Sequence, residues 1–201
     1  MRARGWLAVL VVCLALGCAV AWLARGWWLA GLGGRLVRVD ALAGMAADAV
    51  AVPAADYVRA GVPLETLEEA LRLRGRGRML MSCPDWYGVS ECALAESALK
   101  KRGYPGARLE WLRTARLPDE EEAEAVIGRL RQDGMGSAII LLPNYKTRRL
   151  GGLYKKLGQR AGVGVRVAAA PGADFQPERW WQSREGQKRF AEEVLRWLGV
   201  F

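Results

Sequence analysis

Apolar and polar residues alternate in blocks along this chain. The most clearly bounded apolar block is the run A-I-I-L-L at residues 138–142. The run is too short to cross a membrane, and its β-branched isoleucines are typical of a strand that is buried on both faces. A polar and cationic stretch, residues 144–149, follows it directly. The pattern predicts a central parallel strand that passes into a helix over about residues 147–159.

Four more apolar runs of strand length alternate with segments that repeat apolar residues at helical spacing. Five strands that are each followed by a helix imply a mainly parallel five-stranded sheet with right-handed crossovers and helices on both faces. The predicted fold is therefore an α/β three-layer sandwich. The other predicted strands are residues 48–53, 78–82, 108–112 and 163–169, and the other predicted helices are residues 64–73, 90–103, 118–132 and 183–198.

Two of these helices carry patterns that bear on packing. Residues 119–122 are all acidic and open their helix, so the favoured interpretation is that they complement the helix dipole. The last helix has one apolar stripe, which predicts its buried face. The stripe consists of Phe190, Val194, Trp197 and Phe201.

The longest uncharged segment is residues 6–24, whose nineteen residues would extend about 28 Å as a helix, close to the hydrocarbon thickness of a bilayer. Arg2, Arg4 and Arg25 flank it, and its four neighbouring or terminal tryptophans are typical of an interfacial aromatic belt. We expect one N-terminal transmembrane helix. Two alternatives stay open, a cleaved signal peptide and a lipoprotein signal that ends at Cys18.

Residues 26–34 contain four glycines around Trp27 and Trp28, which favours an interfacial linker over a folded element. The chain then divides into an anchor with its linker, residues 1–39, and an α/β domain, residues 40–201. Arginines lie on both sides of the apolar segment at residues 6–24, so the positive-inside rule does not decide which end faces the cytoplasm.

The formal charge of +9 suggests nucleic-acid binding until it is divided along the chain. Five arginines precede Asp40, so the remainder carries 25 basic and 21 acidic residues and a charge of +4. With no helix-turn-helix or zinc-knuckle signature, the chain is not expected to bind nucleic acid. It contains no histidine, so the commonest metal ligand and general base is absent and no metal site is predicted.

Cysteines occur in two settings. Cys13 and Cys18 lie inside the apolar segment and are most simply small hydrophobic residues. Cys83 and Cys92 belong to the α/β domain, and the eight residues between them do not fit a zinc site. Outside the cytoplasm these two would be free to form a disulfide, although pairing depends on geometry.

The loops that follow parallel strands converge at the carboxyl edge of a sheet, where ligands of open α/β folds bind. Several of these loops carry hydrogen-bonding or cationic groups that would suit an anionic ligand, with arginine as a bidentate donor to phosphate or carboxylate. The alternative is that the basic residues are simply the solvated start of a surface helix. The candidate ligand-binding residues are Ser82, Glu91, Thr114, Asn144, Tyr145, Lys146, Arg148 and Arg149.

Four segments together resemble the YdcF-like domain family, which includes the SanA- and ElyC-type bacterial envelope proteins. The most specific is N-Y-K-T-R-R at residues 144–149, which is similar to the family signature of serine or asparagine, tyrosine, histidine, any residue, and two arginines. The resemblance covers about residues 48–201. The other segments are D-A-V-A-V-P at 48–53, M-L-M-S at 79–82 with S-E-C-A-L-A at 90–95, and F-Q-P-E-R-W-W-Q-S-R-E-G at 175–186.

The resemblance implies a Rossmann-like domain that is tethered to the bacterial inner membrane by one helix and faces the periplasm. It also implies a role in cell-envelope homeostasis, with a nucleotide-like ligand or a lipid-linked carrier as partner, and no particular cofactor. By position, Ser82 and Glu91 match the family's serine and glutamate after the second strand. Thr114 lies where the family has a threonine-rich turn.

This sequence departs from the family at several places. Pro53 and the two alanines after it replace glycines that allow close backbone approach to a ligand, and Cys83-Pro84 replaces another glycine pair. Lys146 replaces the signature histidine, and a lysine holds a fixed charge where histidine would titrate. Two hypotheses follow: an envelope protein that recognises an anion, with or without catalysis, and a non-catalytic interaction module on a degenerate YdcF-like fold.

Trp180 and Trp181, just before the last helix, have two interpretations. They either pack that helix as core or lid residues, or they form an interfacial pair that orients the domain beside a bilayer.

Overall fold

The computed structural model describes residues 2–42, 46–53, 62–86, 89–104, 109–114, 118–171 and 175–200. Apart from the short β3, which follows β2 directly, strands and helices alternate along the chain from β1 to α6. The strands are β1 (Ala49–Val52), β2 (Arg78–Trp86), β3 (Val89–Ser90), β4 (Glu110–Thr114), β5 (Ser137–Pro143) and β6 (Gly164–Ala170). The helices are α1 (Arg2–Leu23), α2 (Arg25–Gly34), α3 (Leu64–Arg74), α4 (Glu91–Lys101), α5 (Asp119–Gln132), α6 (Arg149–Ala161) and α7 (Arg184–Trp197).

Five strands form a parallel sheet in the order β4, β2, β1, β5, β6. If the five parallel strands are numbered 1 to 5 in chain order, leaving out β3, their order in the sheet is 3-2-1-4-5. This is the order found in doubly wound dinucleotide-binding folds. The direction of winding reverses between β1 and β5, which makes their carboxyl ends the topological switch point. The short β3 pairs antiparallel with the end of β2. The predicted α/β class with a mainly parallel sheet is confirmed.

Alternate residues of β1 point to opposite faces of the sheet and divide the core in two. Val50 and Val52 pack with the apolar face of α3 and α4. Ala49 and Ala51 pack with α5 and α6 on the other face. Because both faces are covered, β1 and the centre of β5 are buried throughout, as the uninterrupted apolar run predicts.

The N-terminal segment differs from the expectation of a single transmembrane helix. Among the described residues no single helix is long and apolar enough to cross a membrane. Residues 10–23 of α1 and the whole of α2 meet that criterion only together, as a pair bent by 56°.

The glycine-rich segment is helical, so its interpretation as a linker is wrong. A third apolar cluster explains why: Leu36, just after α2, packs against Tyr145 and Phe175. Trp180 donates its indole hydrogen to the Leu29 carbonyl oxygen at 2.9 Å. Tertiary packing has therefore overridden the low helix propensity of glycine.

Residues 35–40 run back along the edge of the sheet and join α2 to the domain. The Asp40 and Val167 backbones approach each other, with Asp40 N donating to the Val167 carbonyl oxygen at 2.9 Å. Lys155 binds the Asp40 carboxylate at 2.7 Å. Residues before the predicted boundary at position 40 thus pack against the α/β domain.

Candidate functional site

The turn between β5 and α6 is a short 3₁₀ helix, Asn144–Lys146, fixed by its own polar side chains. Asn144 donates through Nδ2 to the Phe175 carbonyl oxygen at 2.8 Å, and its Oδ1 accepts from Tyr145 N at 2.8 Å. Thr147 donates to the Asn144 carbonyl oxygen and accepts from Arg38 N at 2.8 Å. Asn144, predicted to bind a ligand, therefore serves first to hold the shape of the turn.

Tyr145, also a predicted ligand-binding residue, is buried in the third apolar cluster. Its ring lies 5.7 Å from that of Phe175, centroid to centroid, and the Arg189 guanidinium approaches its face at 5.8 Å. The ring therefore ties the turn to α2 and to the segment before α7.

The two adjacent arginines, which the sequence treats as a pair, point to different places. Arg148 is exposed and donates to the Arg35 carbonyl oxygen at 2.8 Å, while its guanidinium lies 5.0 Å from the Trp197 ring centroid. Arg149 turns inward and is 17% exposed. The predicted pair is therefore split, and only Arg149 joins the cluster at the carboxyl edge.

A cluster of five charged side chains lies where β5, α5 and α7 meet; we call it the carboxyl-edge cluster. Its centre is Asp119, the first residue of α5, which is 8% exposed. The Asp119 carboxylate binds Lys146 at 3.4 Å, Arg149 at 2.6 Å and Arg196 at 2.5 Å. Arg149 also binds Glu193 of α7, at 2.7 Å.

Burial and pairing act in opposite directions on these groups. Burial alone would raise the pKa of Asp119, but the charge of Lys146 and the hydrogen bond from Arg149 outweigh it and hold the pKa below its usual value. Burial would lower the pKa of Arg149, but its bonds to Glu193 and Asp119 raise it. Both groups are therefore ionised at neutral pH.

A pocket of about 370 Å³ opens beside this cluster. Arg149 and Arg196 supply guanidinium groups to its wall, and two acidic residues, Asp119 and Glu120, also line it. Leu153 of α6 and Pro118 give it an apolar side. The volume is in the range of small-molecule sites, and the arrangement could hold a phosphate or carboxylate if that group shared or displaced Asp119.

Ser82 is buried in the middle of β2, just past the residues that pair with β1, and donates its hydroxyl to Glu122 of α5. The partner is one of the four acidic residues that the sequence assigned to the helix dipole. Glu122 is 4% exposed, so that interpretation is incomplete: both Asp119 and Glu122 make specific contacts at the carboxyl edge.

Two predicted site residues are only partly described. Glu91 is the first residue of α4 and Thr114 the last of β4, and their side chains lie outside the described part of the chain. The loop at residues 54–56, where the family glycines are replaced, also lies outside it. The structure therefore brings Lys146 and Arg149 together, places Ser82 nearby on Glu122, and directs Arg148 elsewhere.

The sequence missed Asp119, Glu193 and Arg196 as members of the site. Glu193 is only 1% exposed although it is a charged residue, whereas Trp197, predicted to be buried, is 49% exposed. The apolar stripe predicted for α7 is thus wrong at Trp197. α7 contains three glutamates, Glu185, Glu192 and Glu193, and nothing in the sequence singles out Glu193 or pairs it with an arginine 44 positions away.

Cys83 and Cys92 form a disulfide that joins β2 to α4, with a Cα–Cα distance of 5.7 Å. Both residues are buried. The disulfide lies directly after Ser82 and links the middle of β2 to the first turn of α4. In the described part of the chain, no three histidine, cysteine or acidic residues are placed to hold a metal ion.

Trp180 packs against the last helix, as one of its two interpretations predicts. Its ring stacks on Phe190 with centroids 3.8 Å apart, and Trp181 meets it edge-on at 6.1 Å.

No family model, curated protein or solved structure matches this chain significantly. Membership of the YdcF-like family stays a prediction from the sequence motifs.

Proposed function

We propose that this protein is a membrane-anchored, envelope-associated protein with a YdcF-like domain that recognises an anionic ligand, phosphorylated or nucleotide-like, at the carboxyl edge of its sheet. The observation that carries the proposal is the convergence of Lys146, Arg149 and Arg196 on one carboxylate at the wall of a pocket. These three cations already hold an anionic group from within the chain. A phosphate or carboxylate of a ligand in the pocket would meet two of them, Arg149 and Arg196.

Binding is favoured over catalysis by the state of Lys146. Its side chain is 5% exposed and forms an ion pair with Asp119, and it stands where the family signature has the histidine that would serve as a general acid or base. The proposal therefore names a recognition site and assigns no reaction.

The carboxyl-edge pocket lies at the end of the domain where the proposed membrane anchor, α1, is attached. The described apolar side chains of α1 are exposed, for example Leu14 at 64% and Val20 at 64%, and a bilayer would cover them. Since α2 packs beside the turn at Asn144–Lys146, the pocket lies at the end of the domain nearest α1. The ligand is then either a soluble anionic small molecule or the head group of a lipid-linked carrier.

We further propose that the domain faces the periplasm, across the bacterial inner membrane from the cytoplasm. The support is the buried Cys83–Cys92 disulfide, since structural disulfides persist mainly in oxidising compartments. Topology mapping with a reporter fused after Phe201 tests this. Reporter activity in the cytoplasm would overturn the envelope assignment.

The second candidate function is a non-catalytic interaction module near the membrane. It is favoured by the neutralisation of the cluster: Asp119 and Glu193 already occupy donors that a ligand would need. In that case the cluster only fastens α7 to α5 and α6.

Ligand binding distinguishes the two candidates. The probes are inorganic phosphate and a sugar phosphate, added to the full-length protein while amide shifts of residues 145–147 and the unfolding temperature are followed. The informative variant is Arg196→Gln, because Arg196 is 41% exposed and its loss should leave the fold intact. Lys156→Ala, an exposed cation on α6, is the matched control.

Recognition predicts a saturable shift that weakens about tenfold in Arg196→Gln, the loss expected for one charge-assisted hydrogen bond, and is kept in Lys156→Ala. If neither probe shifts the signals, or if Arg196→Gln responds like the control, the anion site is wrong and the interaction module is favoured.

A further inference from the structure

Four arginines lie at every second position in R-L-R-G-R-G-R, residues 72–78, which joins α3 to β2. This segment lies at the amino edge of the sheet, because β2 begins at Arg78. It is therefore at the opposite end of the domain from the carboxyl-edge cluster. Nothing in the function proposed above uses these arginines.

The segment lines an open groove of about 870 Å³, which we call the arginine groove. The opposite wall consists of the chain just before β1, at Ala46 to Asp48, and of Gly134 and Met135 just before β5. All four arginines, Arg72, Arg74, Arg76 and Arg78, belong to its lining. The volume falls within the range of small-molecule sites.

Carboxylates neutralise two of the four arginines. Arg72 binds Glu69 one turn earlier on α3 at 2.5 Å. Arg78 binds Glu110 and, at 3.2 Å, Asp133.

Arg74 and Arg76 are the two that face the groove without such partners. Among the described residues, no carboxylate makes an ion pair with either of them. The Nε atom of Arg74 is buried and has no hydrogen-bond acceptor there. A buried guanidinium donor without an acceptor is unfavourable, so the charge of Arg74 is not balanced within the described part of the chain.

A helix dipole accounts for only part of this arrangement. Arg72 and Arg74 lie in the last turn of α3, where cations are favourable. Arg76 lies beyond the helix, after Gly75 turns the chain with a φ of 55°, so the dipole does not explain its position.

The one carboxylate in the groove wall, Asp48, is already satisfied. Its Oδ2 accepts hydrogen bonds from Gly136 N and Ser137 N at 2.9 Å and from Ser137 Oγ at 3.0 Å. Asp48 therefore bridges β1 to β5 and does not neutralise Arg74 or Arg76.

We propose that the arginine groove binds a phosphate-bearing small molecule through Arg74 and Arg76. Guanidinium groups bind phosphate oxygens in a bidentate manner. A concave site with two available guanidinium groups suits a compact multivalent anion better than a flat surface or an extended polymer. The groove would be a second anion site, separate from the one at the carboxyl edge.

The test uses the full-length protein with inorganic phosphate and inorganic pyrophosphate as probes, followed by calorimetry and by amide shifts of Gly75 and Gly77. Arg76→Gln is the principal variant, because residue 76 is exposed and its replacement should not disturb folding. Arg74→Lys keeps the charge but loses the bidentate geometry. The matched control is Arg160→Gln, an exposed arginine in the last turn of α6.

The proposal predicts saturable binding that weakens about tenfold in Arg76→Gln and in Arg74→Lys, while Arg160→Gln and Arg196→Gln bind at the Gly75 and Gly77 amides like the wild type. Absence of saturable shifts there, or equal weakening in Arg160→Gln, would overturn it. Binding only to anionic vesicles or to RNA would overturn it as well, since those partners need no small-molecule groove.

Discussion

Arg149 and Arg78 lie at opposite ends of the parallel sheet, and each holds two carboxylates. The side chain of Arg149 is 17% exposed, and one of its partners, Glu193, is 1% exposed. The side chain of Arg78 is 40% exposed. Water screens exposed ion pairs much more strongly than buried ones. The ion pairs of Arg149 should therefore contribute more to the free energy of unfolding than those of Arg78. Burial, rather than the number of pairs, decides what each arginine does for the fold.

The largest effect is expected for Arg149→Ala. The substitution leaves the Glu193 carboxylate buried without its cation, and breaking a buried pair in this way costs about 3–5 kcal/mol of unfolding free energy. Arg78→Ala, its counterpart at the amino edge, should cost only about 1 kcal/mol or less. Denaturant unfolding measures both.

Lys156→Ala, on the same helix as Arg149 but exposed, is the control for loss of a cation from α6. Equal costs for Arg149→Ala and Arg78→Ala would contradict the contrast between the two ends of the sheet.

The second largest effect is expected for a substitution in α2, the helix that packs at the carboxyl-edge end of the domain. A Cβ atom at Gly33 would collide with the Pro177 carbonyl oxygen and the Trp180 ring, whereas one at Gly31 would meet nothing within 4 Å. Gly33→Ala should therefore destabilise by about 1–3 kcal/mol, while Gly31→Ala should be neutral or stabilise by up to about 1 kcal/mol through helix propensity.

Tryptophan fluorescence during unfolding would follow the α2 contact, since Trp180 bonds directly to the Leu29 backbone. If the two alanine variants behave alike, α2 is not packed against the domain as described.

A graded effect is expected on acidification. The pKa of Asp119 is lowered in the folded state, because Lys146 and Arg149 outweigh the opposing effect of burial. A carboxyl group of this kind stabilises the fold above its unfolded pKa, and the contribution is lost as pH falls from about 4 towards the folded pKa. Asp119→Asn should therefore lose less stability than the wild type between about pH 4 and pH 2.

The free energy of unfolding, measured at several pH values in that window, checks this expectation. The pKa of Asp40 is also lowered, because its bonds to Lys155 and Val167 outweigh burial, but this residue is present in both proteins. The difference between the wild type and Asp119→Asn therefore reports on Asp119 alone. If the unfolding free energies of the two proteins change with pH at the same rate, Asp119 does not form the ion pairs described for the carboxyl-edge cluster.

The periodicity of the sequence predicts the parallel sheet because that signal is local. The apolar run in β5 is buried on both faces, and Ser183 caps α7 by accepting from Gly186 N, as the predicted start of that helix requires. Neither inference needs a distant residue.

The composition of the site was less predictable because it depends on contacts between distant segments. Glu193 has no local feature that assigns it to Arg149, and Arg148 has none that turns it towards α2. The helical state of residues 25–34 depends on Trp180 and Phe175, more than 140 positions later in the chain. Local propensity favours a loop there, and packing overrides it.

The smallest effect is expected for Arg72→Ala at the amino edge. Arg72 bonds to Glu69 through two hydrogen bonds, at 2.7 and 2.5 Å, which are as short as the contacts of Arg149 and Arg196 with Asp119. Its side chain is 69% exposed, however, so water replaces the bond when it is lost. The unfolding midpoint in denaturant should not change measurably. A clear shift would show that pairing geometry matters at an exposed position, and that burial alone does not separate the two ends of the sheet.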